Sequence, residues 1–167
     1  MLTALSDLPG TGWVQLSEKV FRMGKLGEVT DRGIRSGKAG YFFSTRAFEQ
    51  PSAGTWLVSQ VFPFVSAQDA SLALANFSVE RNVLLNSKFE GEIVELREVP
   101  NVSVNNVDAV RIVVVETKTE TKRGYQYVLN GVVGSVVFAM FFTRVDVPVT
   151  MEVVDPIAQA QVSKLSS

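Results

Sequence analysis

The stretch from Val128 to Phe142, VLNGVVGSVVFAMFF, constrains the fold most, because it must be hidden from water and has few ways of being so. A helix crossing lipid needs about 20 predominantly apolar residues. This run is shorter and is interrupted by Asn130, Gly131, Gly134 and Ser135, so it reads as β-structure inside a core. Asn-Gly is a favoured dipeptide in two-residue type I′ turns, whose central residues both need positive φ. A hairpin is therefore predicted, with a strand over 124–129, a turn at Asn130-Gly131 and a second strand over 132–143. In the second strand Val133, Ser135, Val137, Ala139 and Phe141 fall on one face. Val132, Gly134, Val136, Phe138, Met140 and Phe142 fall on the other. Both faces are largely apolar, as expected of a central strand covered on each side.

The rest of the chain supplies partners for that hairpin. DAVRIVVVETKTETKRGYQY predicts a strand entering the same meander, with IVVV buried and Glu116, Lys118, Glu120 and Lys122 on one exposed face. Those charges read as a solvated sheet edge that discourages aggregation. Upstream, AGYFFSTRAF and TWLVSQVFPFV flank the turn-forming EQPSAG, which predicts a second hairpin with Trp56, Val58, Gln60, Phe62 and Phe64 on one core-facing side. GEIVELREV reads as a strand with exposed acids, and PNVSVNNVD as a loop.

Two helices are predicted. The first has Ser66 as N-cap and Asp69 in its first turn, followed by a stripe of Ala70, Ala73, Leu74, Phe77 and Leu84. The second takes Asp155 as N-cap and Pro156 at the first helical position, with Ala158, Val162 and Leu165 on a common side. Strands, helix, strands and helix joined by short links define a single α+β domain over 1–167, a central antiparallel sheet built from hairpins with a mid-chain and a C-terminal helix packed on it.

Composition removes several chemistries. The chain has no cysteine and no histidine, so it lacks disulfides, thiolate nucleophiles, Cys or His zinc ligands and any imidazole base. Sixteen basic residues against 17 acidic ones give no field to recruit polyanions, which argues against nucleic acid. No EF-hand-like spacing of oxygen ligands is present, so neither a metal nor a cofactor is expected. Glu90, Glu92, Glu95 and Glu98 could in principle serve a hydrolase, but they read as exposed acids of an ordinary strand. The glycine-rich interval 24–40 contains DRGIRSGKAG, where Arg32, Arg35 and Lys38 could face an anionic partner. Its spacing is not that of a P-loop: three residues separate Gly33 from Gly37, and Ala39 follows Lys38. These three basic residues are the candidate partner contacts.

Four stretches carry a resemblance: LTALSDLPGTGW, VFPFVSAQDASLALANF, GYQYVLNGVVGSVVFAMFF and DPIAQAQVSKL, together about a third of the chain. They make it similar to uncharacterised bacterial secreted or lipoprotein domains, some related to kinase-sensor ectodomains, whose α+β fold resembles that of the PsbP and Mog1 proteins. The matching residues are packing patterns and carry no catalytic signature. The resemblance implies an exported, envelope-associated domain that acts by binding, tethered to a membrane if an N-terminal segment precedes Met1. Some kinase-sensor ectodomains have disulfides, and the lack of cysteine departs from them. The N-terminus itself, MLTALSDLPG, lacks the basic start and apolar run of a signal peptide, so the chain as written is expected in the cytoplasm, and in the envelope if an export signal was removed. The functions that follow are a non-enzymatic binding or accessory domain for an unknown protein or small apolar ligand, a lipid carrier, or a hydrolase using carboxylates or lysine.

Overall fold

Two β-meanders meet side by side, and the seam between them runs along the strand with two apolar faces. The computed structural model describes residues 2–22, 42–76 and 91–166. In it β1 (Val14–Arg22), β2 (Phe42–Gln50) and β3 (Thr55–Pro63) form the first meander, followed by helix α1 (Ala67–Ala75). β4 (Glu92–Val99), β5 (Ala109–Lys118), β6 (Arg123–Val133) and β7 (Val136–Val145) form the second, and helix α2 (Met151–Ser166) comes after it. The order across the sheet is β1-β2-β3-β7-β6-β5-β4, with every pairing antiparallel, so β7 is central and joins the meanders through β3.

The alternation of β7 divides the core in two. Val137, Ala139 and Phe141 face α1, where they meet Val58, Phe62, Phe64, Val113, Val128 and the helix residues Ala70, Ala73 and Leu74. Phe138, Met140 and Phe142 face α2 and meet Leu57, Ile112, Leu129, Val154, Ile157, Ala158 and Val162. Each of these large β7 side chains is 1 % exposed or less, and burying each contributes roughly 1.5–3 kcal/mol.

The hairpin forms as expected, but its turn lies at Gly134-Ser135 instead of Asn130-Gly131. β6 runs straight through Asn130 and Gly131, which pair with Ala139 and Phe138. Gly134 has φ +56 and Ser135 is not among the residues with positive φ, the pattern of a type II′ turn with glycine first. Contacts remote in sequence select this turn: Asp108 accepts a 2.7 Å hydrogen bond from Gly134 N through Oδ2, and its own N–H donates to Val132 O at 2.8 Å. The shifted turn also moves Val132, expected beside Phe138, to the α1 face opposite Val137, because directly paired residues share a face.

Three further elements differ from expectation. β5 is not an edge: β4 covers it, Glu116 points to an ion pair with Arg123, and Thr119 to Lys122 form the connection to β6. β1 is a strand the alternation did not single out, since both of its faces mix polar and apolar residues and Val14, Leu16 and Val20 remain exposed. α2 begins at Met151, so Asp155 is not its N-cap and Pro156 lies inside it. The Thr150 carbonyl accepts from Val153 and Val154 N–H, and burial of Val154 and Ile157 offsets the one backbone bond that proline removes. Ser66 caps α1 as expected, its Oγ accepting from Asp69 N at 3.1 Å; Phe77 and Leu84 lie outside the described residues.

The N-terminal segment is held against α2 by polar groups as well as by Leu2 and Leu8. Thr3, Ser59 and Gln161 are fully buried, and Thr3 Oγ1 donates to Gln161 Oε1 at 2.8 Å while lying 3.1 Å from Ser59 Oγ. Arg46 donates to the Thr3 carbonyl at 2.7 Å and to Glu18. Asp7 accepts from Ala4 N and from Lys164 of α2. Burial pushes the Asp7 carboxyl up, but the bond from Lys164, the Ala4 N–H and the charges of Lys164 and Arg46 outweigh it and hold the group below its ordinary value.

Two outcomes follow from these contacts. A Cβ on Gly131 would lie 2.5 Å from Phe138 Cε1 and 3.1 Å from Val107 Cγ1, so Gly131→Ala should lower stability in urea unfolding by about 1–3 kcal/mol. Combining it with Phe138→Leu should cost less than the sum of the two single changes. Because the Asp7 pKa is depressed on folding, its contribution is present above the unfolded carboxyl pKa and is lost as pH falls through the folded one. Asp7→Asn should therefore flatten the acid limb of a stability-against-pH curve and remove the Asp7–Lys164 ion pair.

Candidate functional site

The α1 side of the sheet alternates polar and apolar rows, and the register fixes which residues share each row. Trp56 pairs with Thr143 and Thr143 with Gln126, giving one polar row across β3, β7 and β6. The next row on that face is apolar: Val58, Phe141, Val128 and Val113. Beyond it come Gln60, Ala139, Asn130 and Arg111, and then Phe62, Val137, Val132 and Ala109. The Phe62 ring stacks on Phe43 at 5.1 Å with 16° between planes. Side chains in a strand alternate between faces, so Gln126 and Asn130 follow Val128 and Val132 onto the wall that α1 packs against.

This wall holds polar atoms that the fold leaves unused. Asn130 is 0 % exposed, and neither its Oδ1 nor its Nδ2 has a hydrogen-bond partner. Gln126 donates to Thr143 Oγ1 at 3.0 Å, but its Oε1 is buried and unpaired, as is Trp56 Nε1. Each such group costs about 1–3 kcal/mol of desolvation. The set comprises two donors and two acceptors, all neutral, beside Val58, Phe141 and Val128. It can hydrogen-bond a neutral polar group on a largely apolar molecule; it contains no nucleophile and no acid-base pair.

Elsewhere three glutamates of β4 and β5 are paired with arginines. Glu95 bonds Arg97 at 3.3 Å, Glu98 bonds Arg111 at 2.9 Å, and Glu116 bonds Arg123. Glu92 is exposed at the start of edge strand β4, and Glu90 lies outside the described residues. Among the described residues no group of three or more acidic side chains could hold a metal ion. The β5–β6 connection borders an open, polar cleft of about 300 Å³ lined by Lys118, Thr119, Lys122, Arg123 and Asp146, among others. Thr119 Oγ1 there accepts from Lys122 N at 3.1 Å, which tightens the connection itself. Arg32, Arg35 and Lys38 lie outside the described residues, with the whole interval 24–40.

The sequence reading missed Asn130, taken for a turn residue, and Gln126, taken for an ordinary strand position. The signal that could have found them is two amides four apart on the same face of an otherwise apolar strand.

The fold is that of an α+β domain with a seven-stranded antiparallel sheet and a helix packed on each face. It is similar to the extracellular domain of PknH from Mycobacterium tuberculosis, with a TM-score of 0.55 and 9 % identity over 95 % of this chain and 89 % of that one. It is also similar to a putative uncharacterised protein from Mycobacterium smegmatis, with a TM-score of 0.53 and 7 % identity over 95 % of this chain and 91 % of that one. At these identities the likeness is one of fold. No protein family and no curated protein matches the chain in sequence. Among the described residues no helix is long and apolar enough to cross a membrane.

If the unpaired amide of Asn130 serves a ligand and contributes nothing to folding, Asn130→Val should raise the stability of the ligand-free protein by about 1–2 kcal/mol. Thermal and urea unfolding of the two proteins check this; a destabilised variant would assign Asn130 a structural bond instead.

Proposed function

We propose that this chain is a non-enzymatic, envelope-side binding domain that takes a small, mostly apolar molecule carrying a neutral polar group against the α1 face of its sheet. The carrying observation is Asn130, fully buried with both amide atoms unpaired on a wall that also presents Gln126 Oε1 and Trp56 Nε1. Native cores satisfy nearly all buried polar atoms, and four unpaired atoms on one wall call for an absent partner.

Placement outside the cytoplasm is supported by the likeness to an extracellular domain. Action by binding is supported by the lack of histidine and cysteine and by the pairing of Glu95, Glu98 and Glu116 with arginines. A carrier of fully apolar lipid fits less well, because such a ligand would leave the two amides and the indole N–H as they are. The polar cleft beside Lys118 is the wrong chemistry for it.

Native mass spectrometry of protein purified without detergent tests the reading. The wild type should carry an additional small mass that organic extraction releases, and Asn130→Val should have lost it. A bare chain in both samples, with Asn130 bonded to buried water in a high-resolution structure, would contradict the proposal.

A further inference from the structure

A second set of unused polar atoms lies on the opposite side of the sheet, under α2, and its chemistry is different. The row Glu116, Tyr125, Arg144 and Thr55 crosses β5, β6, β7 and β3 on that side. Within the row most groups are already engaged. Glu116 is held in an ion pair by Arg123, which also bonds Tyr125. The Thr55 hydroxyl donates to the Ala53 carbonyl at 3.2 Å. Arg144 is left with no hydrogen-bond or ion-pair partner among the described residues, and its Nε is buried.

Tyr127 sits diagonally from Arg144, since Tyr125 pairs with Arg144 and Tyr127 with Phe142. Diagonal neighbours on one sheet face are within reach of long side chains. Tyr127 is 3 % exposed and its hydroxyl, too, has no partner. The ring of Trp13 packs edge-on against Phe142 at 6.1 Å, helping to close this part of the face to water. Two adjacent donors, one of them a guanidinium, are thus presented with no acceptor.

We propose that Arg144 and Tyr127 form a binding site for a small oxyanion, a carboxylate or phosphate group, on the α2 side of the sheet. A guanidinium fork and a phenolic O–H supply the charge-assisted and directional bonds that such a group accepts. Burial, and after it the charge of Asp155 in α2, raise the Tyr127 hydroxyl to about 12, so the phenol keeps its proton and donates at neutral pH. Asp155 is also the built-in opponent of the site: its carboxylate acts on Tyr127 and should hold anion affinity down. This site is independent of the α1 wall, which lies on the other face and offers neutral groups.

The test is an NMR titration of the full chain with sodium acetate and, separately, inorganic phosphate at fixed ionic strength, following the Arg144 Nε–Hε signal and the Tyr127 and Phe142 amides. The wild type should show saturable shifts, and the tighter of the two probes identifies carboxylate or phosphate as the preferred group. Arg144→Gln should weaken binding about tenfold or more, read from the amides, and Tyr127→Phe should weaken it several-fold. Asp155→Asn, a change at a half-exposed position, should tighten it roughly threefold. Shifts that grow linearly with salt, or that are the same in all four proteins, would overturn the proposal.

Discussion

The structure depends on β7 being buried on both sides at once. Phe138, Met140 and Phe142 need one covering layer and Val137, Ala139 and Phe141 need another, so neither meander can hide this strand alone. Pairing with β3 supplies the remaining lateral neighbour and turns two hairpin systems into one sheet. α1 and α2 then have defined places, because each lies over the half of β7 that its own apolar stripe matches. The N-terminal segment and its Thr3–Gln161 and Asp7–Lys164 contacts fasten the α2 layer from outside.

What could be read from the sequence was whatever a local period encodes. The double-faced apolar run gave a central strand, TWLVSQVFPFV gave a strand with Val58, Phe62 and Phe64 inward, and Ser66 gave a helix start that its Oγ cap confirms. The turn of the β6–β7 hairpin was misplaced because two dipeptides competed. The stronger local signal, Asn130-Gly131, lost to the bond that Gly134 N–H donates to Asp108, 26 residues before it in the chain, and to the Phe138 ring lying on Gly131. The start of α2 was misplaced for the same kind of reason: burial of Val154 extends the helix through a proline that propensity would put at its beginning. β1 was missed because an edge strand with mixed faces has no clear alternation.

The candidate sites were still less legible. A buried amide with no partner is a property of three-dimensional accounting, and Asn130, Gln126, Arg144 and Tyr127 look ordinary until the register places them in rows and their neighbours are seen to be engaged elsewhere. The two faces of one hairpin thereby acquire different characters, neutral donors and acceptors towards α1 and a guanidinium with a phenol towards α2. Both arrangements lower the stability of the protein, because each leaves buried polar atoms without a hydrogen-bond partner.

Amide hydrogen exchange tests the central role of β7 most directly. If its two-sided burial holds the meanders together, the amides of β3, β6 and β7 should exchange only through global unfolding, with the same free energy, while those of β1 and β4 open earlier. Exchange in which the β3–β7 seam opens below the global free energy, leaving β5 and β6 protected, would show that the meanders are separately stable and that β7 does not govern the fold.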